Sequence, residues 1–256
     1  MMARPLQAHG LRSKVYAPIL LAIFRQRFVE GATRIPFTLE DVRDALREMG
    51  KEARNAPDLI YRMKSRTALP EEIQATGFRI LEITSRGAYA FAKGESTLIE
   101  YPEEADVVEI EDRTPLAVRR LLYEGANFGL IDEQGLLSVL RYNDLFSRFL
   151  GARAYHFKSH VRKSVPGVGQ AEVDDVHVAV EQGETGTLTI VPVEAKAKDD
   201  PVNRVQIAMQ VRYAQHAFPG HPVRPLTVKL FEHGMVLMME FNVTVHANDL
   251  KVVRHR

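Results

Sequence analysis

The sequence predicts an α+β chain in two parts. The N-terminal part is three short helices followed by a β-hairpin; the C-terminal part runs helix, strand, strand, strand, helix, strand (αβββαβ) around a central mixed sheet. Three observations carry this reading. Apolar residues recur at helical spacing early in the chain, at Val15, Ile19, Leu20, Ile23, Phe24 and Phe28. They alternate at strand spacing later, over residues 171–180 and 187–196. Between the two patterns lies an acidic, irregular stretch, residues 97–112, including Tyr101-Pro-Glu-Glu-Ala-Asp106. The expected organisation is therefore 1–96, a connection over 97–142, and 143–256.

The first element is the helix over residues 15–28. Thr38 followed by Asp41 reads as a capping box opening a second helix to Met49, with Gly50 at its C′ position. A third helix begins near Asn55-Ala56-Pro57, proline being tolerated in a first turn. Its apolar positions Leu59, Ile60 and Met63 leave Arg62, Lys64, Ser65 and Arg66 outward. Residues 78–84 and 88–92, separated by Ser85-Arg86-Gly87, read as a hairpin. This order resembles a winged helix-turn-helix. The resemblance implies double-stranded DNA as partner, with Arg62, Lys64, Ser65 and Arg66 meeting base edges and phosphates and Arg86 meeting phosphate. The same residues also suit the solvated face of a protein-contact module.

Thr114-Pro115 opens a helix to Tyr123, and helical character returns from Leu136 towards Leu150. Asp144 there is a candidate for an additional site carboxylate but reads better as an N-cap. The strand 154–165 carries His156, Lys158, His160, Arg162 and Lys163, chemistry for a DNA-lining face or for a charged, guarded sheet edge. After the two alternating strands, Asp200-Pro201 opens a helix to Ala217, and strands follow at 226–232 and 235–241. The terminal Arg254, His255 and Arg256 read as a frayed polar tail.

Composition bounds the function. At 256 residues, 45% hydrophobic and 26% charged, the chain has the make-up of a soluble globular protein. The absence of cysteine excludes disulfides, a thiolate nucleophile and cysteine-ligated zinc or iron–sulfur centres, and fits a reducing cytoplasm. The start, Met-Met-Ala-Arg-Pro-Leu-Gln, lacks a secretory apolar region, so neither export nor membrane insertion is expected. Residues 1–100 hold 16 Lys/Arg against 12 Asp/Glu, residues 101–150 hold 5 against 10, and residues 151–256 hold 13 against 11. Nucleic-acid contact must therefore come from local patches rather than bulk charge. No glycine-rich phosphate loop, helical His-x-x-x-His pair or nucleophile elbow is present.

The chemistry-bearing stretch is the hairpin ending in Glu194-Ala195-Lys196. Alternation puts Glu194 and Lys196 on one face, and on the first strand separates Asp174 from Asp175 and His177. An odd loop centred on Glu184 pairs 174 with 194, while an even loop from Gly183 to Gly186 pairs 175 with 194. The faces continue as Val176, Val178 and Val180 beside Ile190 and Leu188, which favours Asp174. Two carboxylates and a lysine suit a magnesium site acting on phosphate; a Glu-x-Lys pair also occurs as a solvated ion pair. The constellation resembles the PD-(D/E)XK signature of restriction-endonuclease-like nucleases over roughly the last 115 residues, although no proline precedes Asp174 or Asp175.

That resemblance implies a Mg2+-dependent endonuclease, with Mn2+ able to substitute, most simply a type II restriction endonuclease acting as a homodimer. It implies metal ligation by Asp174 or Asp175, Glu194 and the Ala195 carbonyl, with Lys196 orienting the attacking water and Gln206 and Gln210 near the water or scissile phosphate. Two alternatives stand beside it: a structure-specific repair nuclease, and a non-catalytic winged-helix DNA-binding regulator.

Overall fold

The computed structural model describes residues 13–51, 56, 60, 69–85, 87–124, 132–166, 169–181, 186–197, 200–231 and 234–256. The chain is α+β and divides into two compact units, residues 1–98 with 166–169, and residues 99–165 with 170–256.

The first unit contains α1 (Ser13–Arg27), β1 (Arg34–Thr38), α2 (Leu39–Glu48), the single turn α3 (Glu71–Gln74), β2 (Phe78–Ser85) and β3 (Ala88–Lys93). Its sheet has the order β1-β3-β2, with both pairings antiparallel. Thr38 forms the expected capping box with Asp41, satisfying two backbone donors at the start of α2. Gly87, at φ 74°, takes the left-handed position that closes the β2–β3 turn. Phe24 from α1 packs edge-on against Phe78 and Phe91, centroids 5.3 and 5.2 Å away, so one apolar stripe of α1 closes the sheet face. Strand β1 has no counterpart in the sequence reading. Its buried Ile35 and Phe37 alternate with exposed residues, and Pro36 is tolerated because β1 is an edge strand. The expected third helix with Arg62, Lys64, Ser65 and Arg66, and Arg86 of the turn, lie outside the described residues.

The second unit contains α4 (Leu116–Glu124), α5 (Glu133–Tyr142), α6 (Leu145–Leu150), β4 (Arg153–Val165), β5 (Gly169–Val180), β6 (Leu188–Lys196), α7 (Arg204–Ala217), β7 (Leu226–Leu230), β8 (Val236–Phe241) and β9 (Val252–His255). The six strands form one mixed sheet in the order β4-β5-β6-β7-β8-β9. The β6–β7 pair is parallel and is joined through α7, whereas β5–β6, β7–β8 and β8–β9 are antiparallel. Helices α5 and α6 bury Leu136, Leu137, Leu140, Phe146 and Phe149 against Val191, Val193, Ala195 and Val228 on one sheet face. Side chains alternate, so Glu194 and Lys196 lie on the other face, where α7 packs.

Two readings of this half are corrected. Asp144 occupies the N-cap position of α6 but its side chain caps no backbone N–H. Its backbone is left-handed, φ 53°, not the extended geometry from which a cap reaches the first turn, and its carboxylate accepts the Ser147 hydroxyl at 2.5 Å instead. The terminal residues are not frayed: Arg254 and His255 belong to β9, paired with β8. The charge of Arg254 finds a partner in the buried Glu240, which accepts from Arg254 at 2.7 Å and from both Nε and Nη2 of Arg224 at 2.6 and 2.9 Å. Among the described residues no helix is long and apolar enough to cross a membrane.

Candidate active site

The β5–β6 hairpin sets the geometry. Asp175 lies opposite Val193 and Val178 opposite Ile190, a register that brings Asp174, one residue further along, beside Glu194. This is the odd register. The Ala195 N–H donates to Asp174 Oδ2 at 2.9 Å, tying the aspartate to the centre of the Glu-Ala-Lys triplet. Lys196 Nζ donates to Glu194 Oε1 at 2.5 Å, and the other Glu194 oxygen accepts the side-chain amide of Gln210 from α7. Asp174, Glu194, Lys196 and Gln210 thus form one connected cluster. Gln206, one turn earlier on α7, is not joined to it; its Oε1 is buried without a partner among the described residues.

Burial governs the electrostatics. Glu194 is 3% exposed, and loss of solvent pushes its pKa from 4.5 up to about 7; Lys196 opposes this, while Asp174 and Glu172 add to it. Asp174 is likewise raised, first by burial and then by Glu133, against the pull of the Ala195 N–H, Lys196 and His160. For Lys196 burial works downward, but the charge and hydrogen bond of Glu194, with Asp174 and Asp200, outweigh it together and hold the ammonium above its ordinary range. Lys196 is therefore a fixed cation and not a free base.

Asp175 is in a different environment. It is fully buried and receives Arg141 Nε and Nη2 at 3.1 and 2.6 Å, the Ser159 hydroxyl at 2.6 Å and His177 Nε2 at 2.9 Å. Burial alone would raise its pKa; the bonds from His177, Arg141 and Ser159 hold it below the usual range. With its lone pairs occupied in this way, Asp175 acts as a structural tie between α5, β4 and β5.

Sequence reasoning did not single out Glu133, the first residue of α5, whose charge acts on Asp174, or Lys229. Glu133 follows the N-cap Asp132 and reads from sequence only as an acidic first-turn residue. Lys229, buried on β7, donates to the backbone carbonyls of Ala197 at 2.5 Å and Asp200 at 2.8 Å, closing the loop that leads from the triplet into α7.

The charge of Asp174 raises the proton affinity of Glu194, a condition a hard cation relieves, and the Ala195 carbonyl follows Glu194 directly in sequence. Two carboxylates with water completing the shell suit magnesium. Among the described residues no group of three or more His, Asp or Glu side chains assembles as a metal cage. Comparison with protein-family models, curated proteins and solved structures returned no match.

Proposed function

We propose that the second unit is a magnesium-dependent DNA endonuclease hydrolysing phosphodiester bonds, with the first unit, winged-helix-like in its element order, acting as the reader of double-stranded DNA. The observation that carries this reading is the cluster of Asp174 on β5 with Glu194 and Lys196 at the end of β6, one half-buried and one buried carboxylate with an ammonium on one sheet face. The residues that would hold the cation are Asp174, Glu194 and the Ala195 carbonyl. Magnesium, when bound, polarises a phosphoryl oxygen and lowers the pKa of its water. Gln210 and Lys196 hold the two oxygens of Glu194 in a fixed orientation. The Ala195 N–H does the same for Asp174. The Lys196 ammonium lies where it can hold an attacking water and offset charge developing on phosphate.

Supercoiled plasmid nicking with and without magnesium tests the proposal. The wild type should nick only with the metal, and Asp174→Asn, Glu194→Ala and Lys196→Ala should each lose cleavage while binding duplex DNA nearly as before. Discrete fragments would assign a type II restriction activity by a homodimer; smeared products would not. Wild-type cleavage by Glu194→Ala would remove the cluster from the chemistry. No magnesium-dependent cleavage by the wild type would leave a DNA-binding regulator.

A further inference from the structure

Strand β4 is the edge of the six-stranded sheet, thirteen residues long. It carries four Lys/Arg and two histidines and no Asp or Glu. Tyr155 and Phe157, each 57% exposed, stand two residues apart on it and so share a face. The Phe157 ring is braced from beneath. Phe157 meets Phe218 edge-on at 5.9 Å, and Phe218 meets the buried Tyr213 edge-on at 6.3 Å. The exposed Lys158, Arg162 and Lys163 follow along the same strand.

Two rulers relate this ledge to the candidate active site. Ser159 meets Asp175 and Arg162 meets Glu172, so β4 runs antiparallel to β5; His156 meets Asp175 as well, so alternation breaks between His156 and Ser159 and Phe157 turns to the α7 face that carries Asp174, about three residues beyond it. At strand rise that is about 10 Å. Along α7, Gln210, which holds Glu194, precedes Phe218 by eight residues, about 12 Å of helix. The ledge is therefore about three stacked nucleotides from the cluster at the 3.4 Å spacing of a DNA strand.

We propose that Tyr155 and Phe157 form a stacking ledge for unpaired bases, and that the substrate is DNA with a single-stranded segment whose phosphates follow the basic edge β4 towards Asp174 and Glu194. Aromatic faces stack on any base and lysines or arginines track the backbone, which is the chemistry of single-strand binding. Bases in an intact duplex have their faces covered and offer nothing to such a ledge. A second copy of the chain is the other occupant an edge strand can take. Here it would set like charges opposite one another across an edge that carries no acid. The inference rests on the nuclease reading and narrows its substrate.

The test is fluorescence anisotropy of the full chain, without divalent metal, against a labelled single-stranded twelve-nucleotide DNA and against the blunt duplex of the same sequence. Tyr155→Ala and Phe157→Ala should each weaken single-strand binding at least about fivefold, with Phe157→Trp restoring it and duplex affinity unchanged. Melting temperatures should not move, because both side chains are more than half exposed. Equal single-strand affinity in wild type and both alanine variants would overturn the ledge, as would parallel loss on both probes. So would a wild-type dimer, seen in sedimentation, that the double variant dissolves. Because no cleavage enters the measurement, failure of magnesium-dependent nicking would sink the nuclease reading and leave this result standing or falling by itself.

Discussion

Two acidic residues on neighbouring strands, Glu194 and Asp175, have opposite tasks, and each makes its own prediction. Glu194 holds its proton up to about 7 in the folded chain, against an ordinary 4.5. The native state therefore binds this proton more tightly than the unfolded chain. The associated stability is complete below about pH 4.5 and is lost as pH rises through about 7, on the order of 3 kcal/mol in all. Metal-free protein should melt at lower temperature at pH 8 than at pH 5, and Glu194→Gln should flatten that difference. A melting profile that Glu194→Gln leaves unaltered would show that burial of Glu194 does not control it. Asp175 is linked to stability in the other direction. Held charged by Arg141, Ser159 and His177, it should cost about 3 kcal/mol on replacement by alanine, because Arg141 is left uncompensated. Urea denaturation measures this directly, and Asp174→Asn, whose amide oxygen can still accept the Ala195 N–H, should cost less.

At the scale of elements, β9 makes the clearest case. It covers β8 and supplies Arg254 to Glu240, so removing residues 252–256 uncovers an apolar edge and strips one partner from a mostly buried carboxylate. The truncated chain should melt several degrees lower, at about 2–4 °C per kcal/mol for a chain of this size, and should self-associate on concentration. Unchanged melting and a monomeric sedimentation profile would refute this. Nothing in Arg254-His255-Arg256 alone announced a strand, because the residue that neutralises it, Glu240, is fourteen positions away. Strand β1 was equally illegible, a five-residue run with a proline at its centre. The β5–β6 hairpin was legible because its information is local: alternation fixes the faces, and only loop parity remained to choose between Asp174 and Asp175. The network around Asp175 was not legible, since Arg141 and Ser159 are 34 and 16 residues distant. Gln210 and Gln206 could not be told apart from sequence, as both sit one turn apart on the same helix and only packing decides which reaches Glu194.

For the whole molecule, the division into two units separates what each half should lose. The fragment 99–256 contains all six strands of the larger sheet and the complete Asp174–Glu194–Lys196–Gln210 cluster. It should retain magnesium binding by calorimetry while its affinity for duplex DNA falls and depends less steeply on salt, each lost phosphate contact removing about one from the salt slope. Identical affinity and slope for fragment and full chain would exclude the first unit from duplex recognition. Lys229 adds a constraint of another kind. The loop that launches α7 is held at Ala197 and Asp200 by a side chain from β7, a strand that comes after α7 in the chain. Support therefore runs backwards along the sequence. A chain ending before residue 226 would lack more than an inner strand: the helix bearing Gln210 would have no fixed point of departure, and Glu194 no second oxygen partner. The second unit is in this sense indivisible, complete only when the crossover has closed on the strand beyond it.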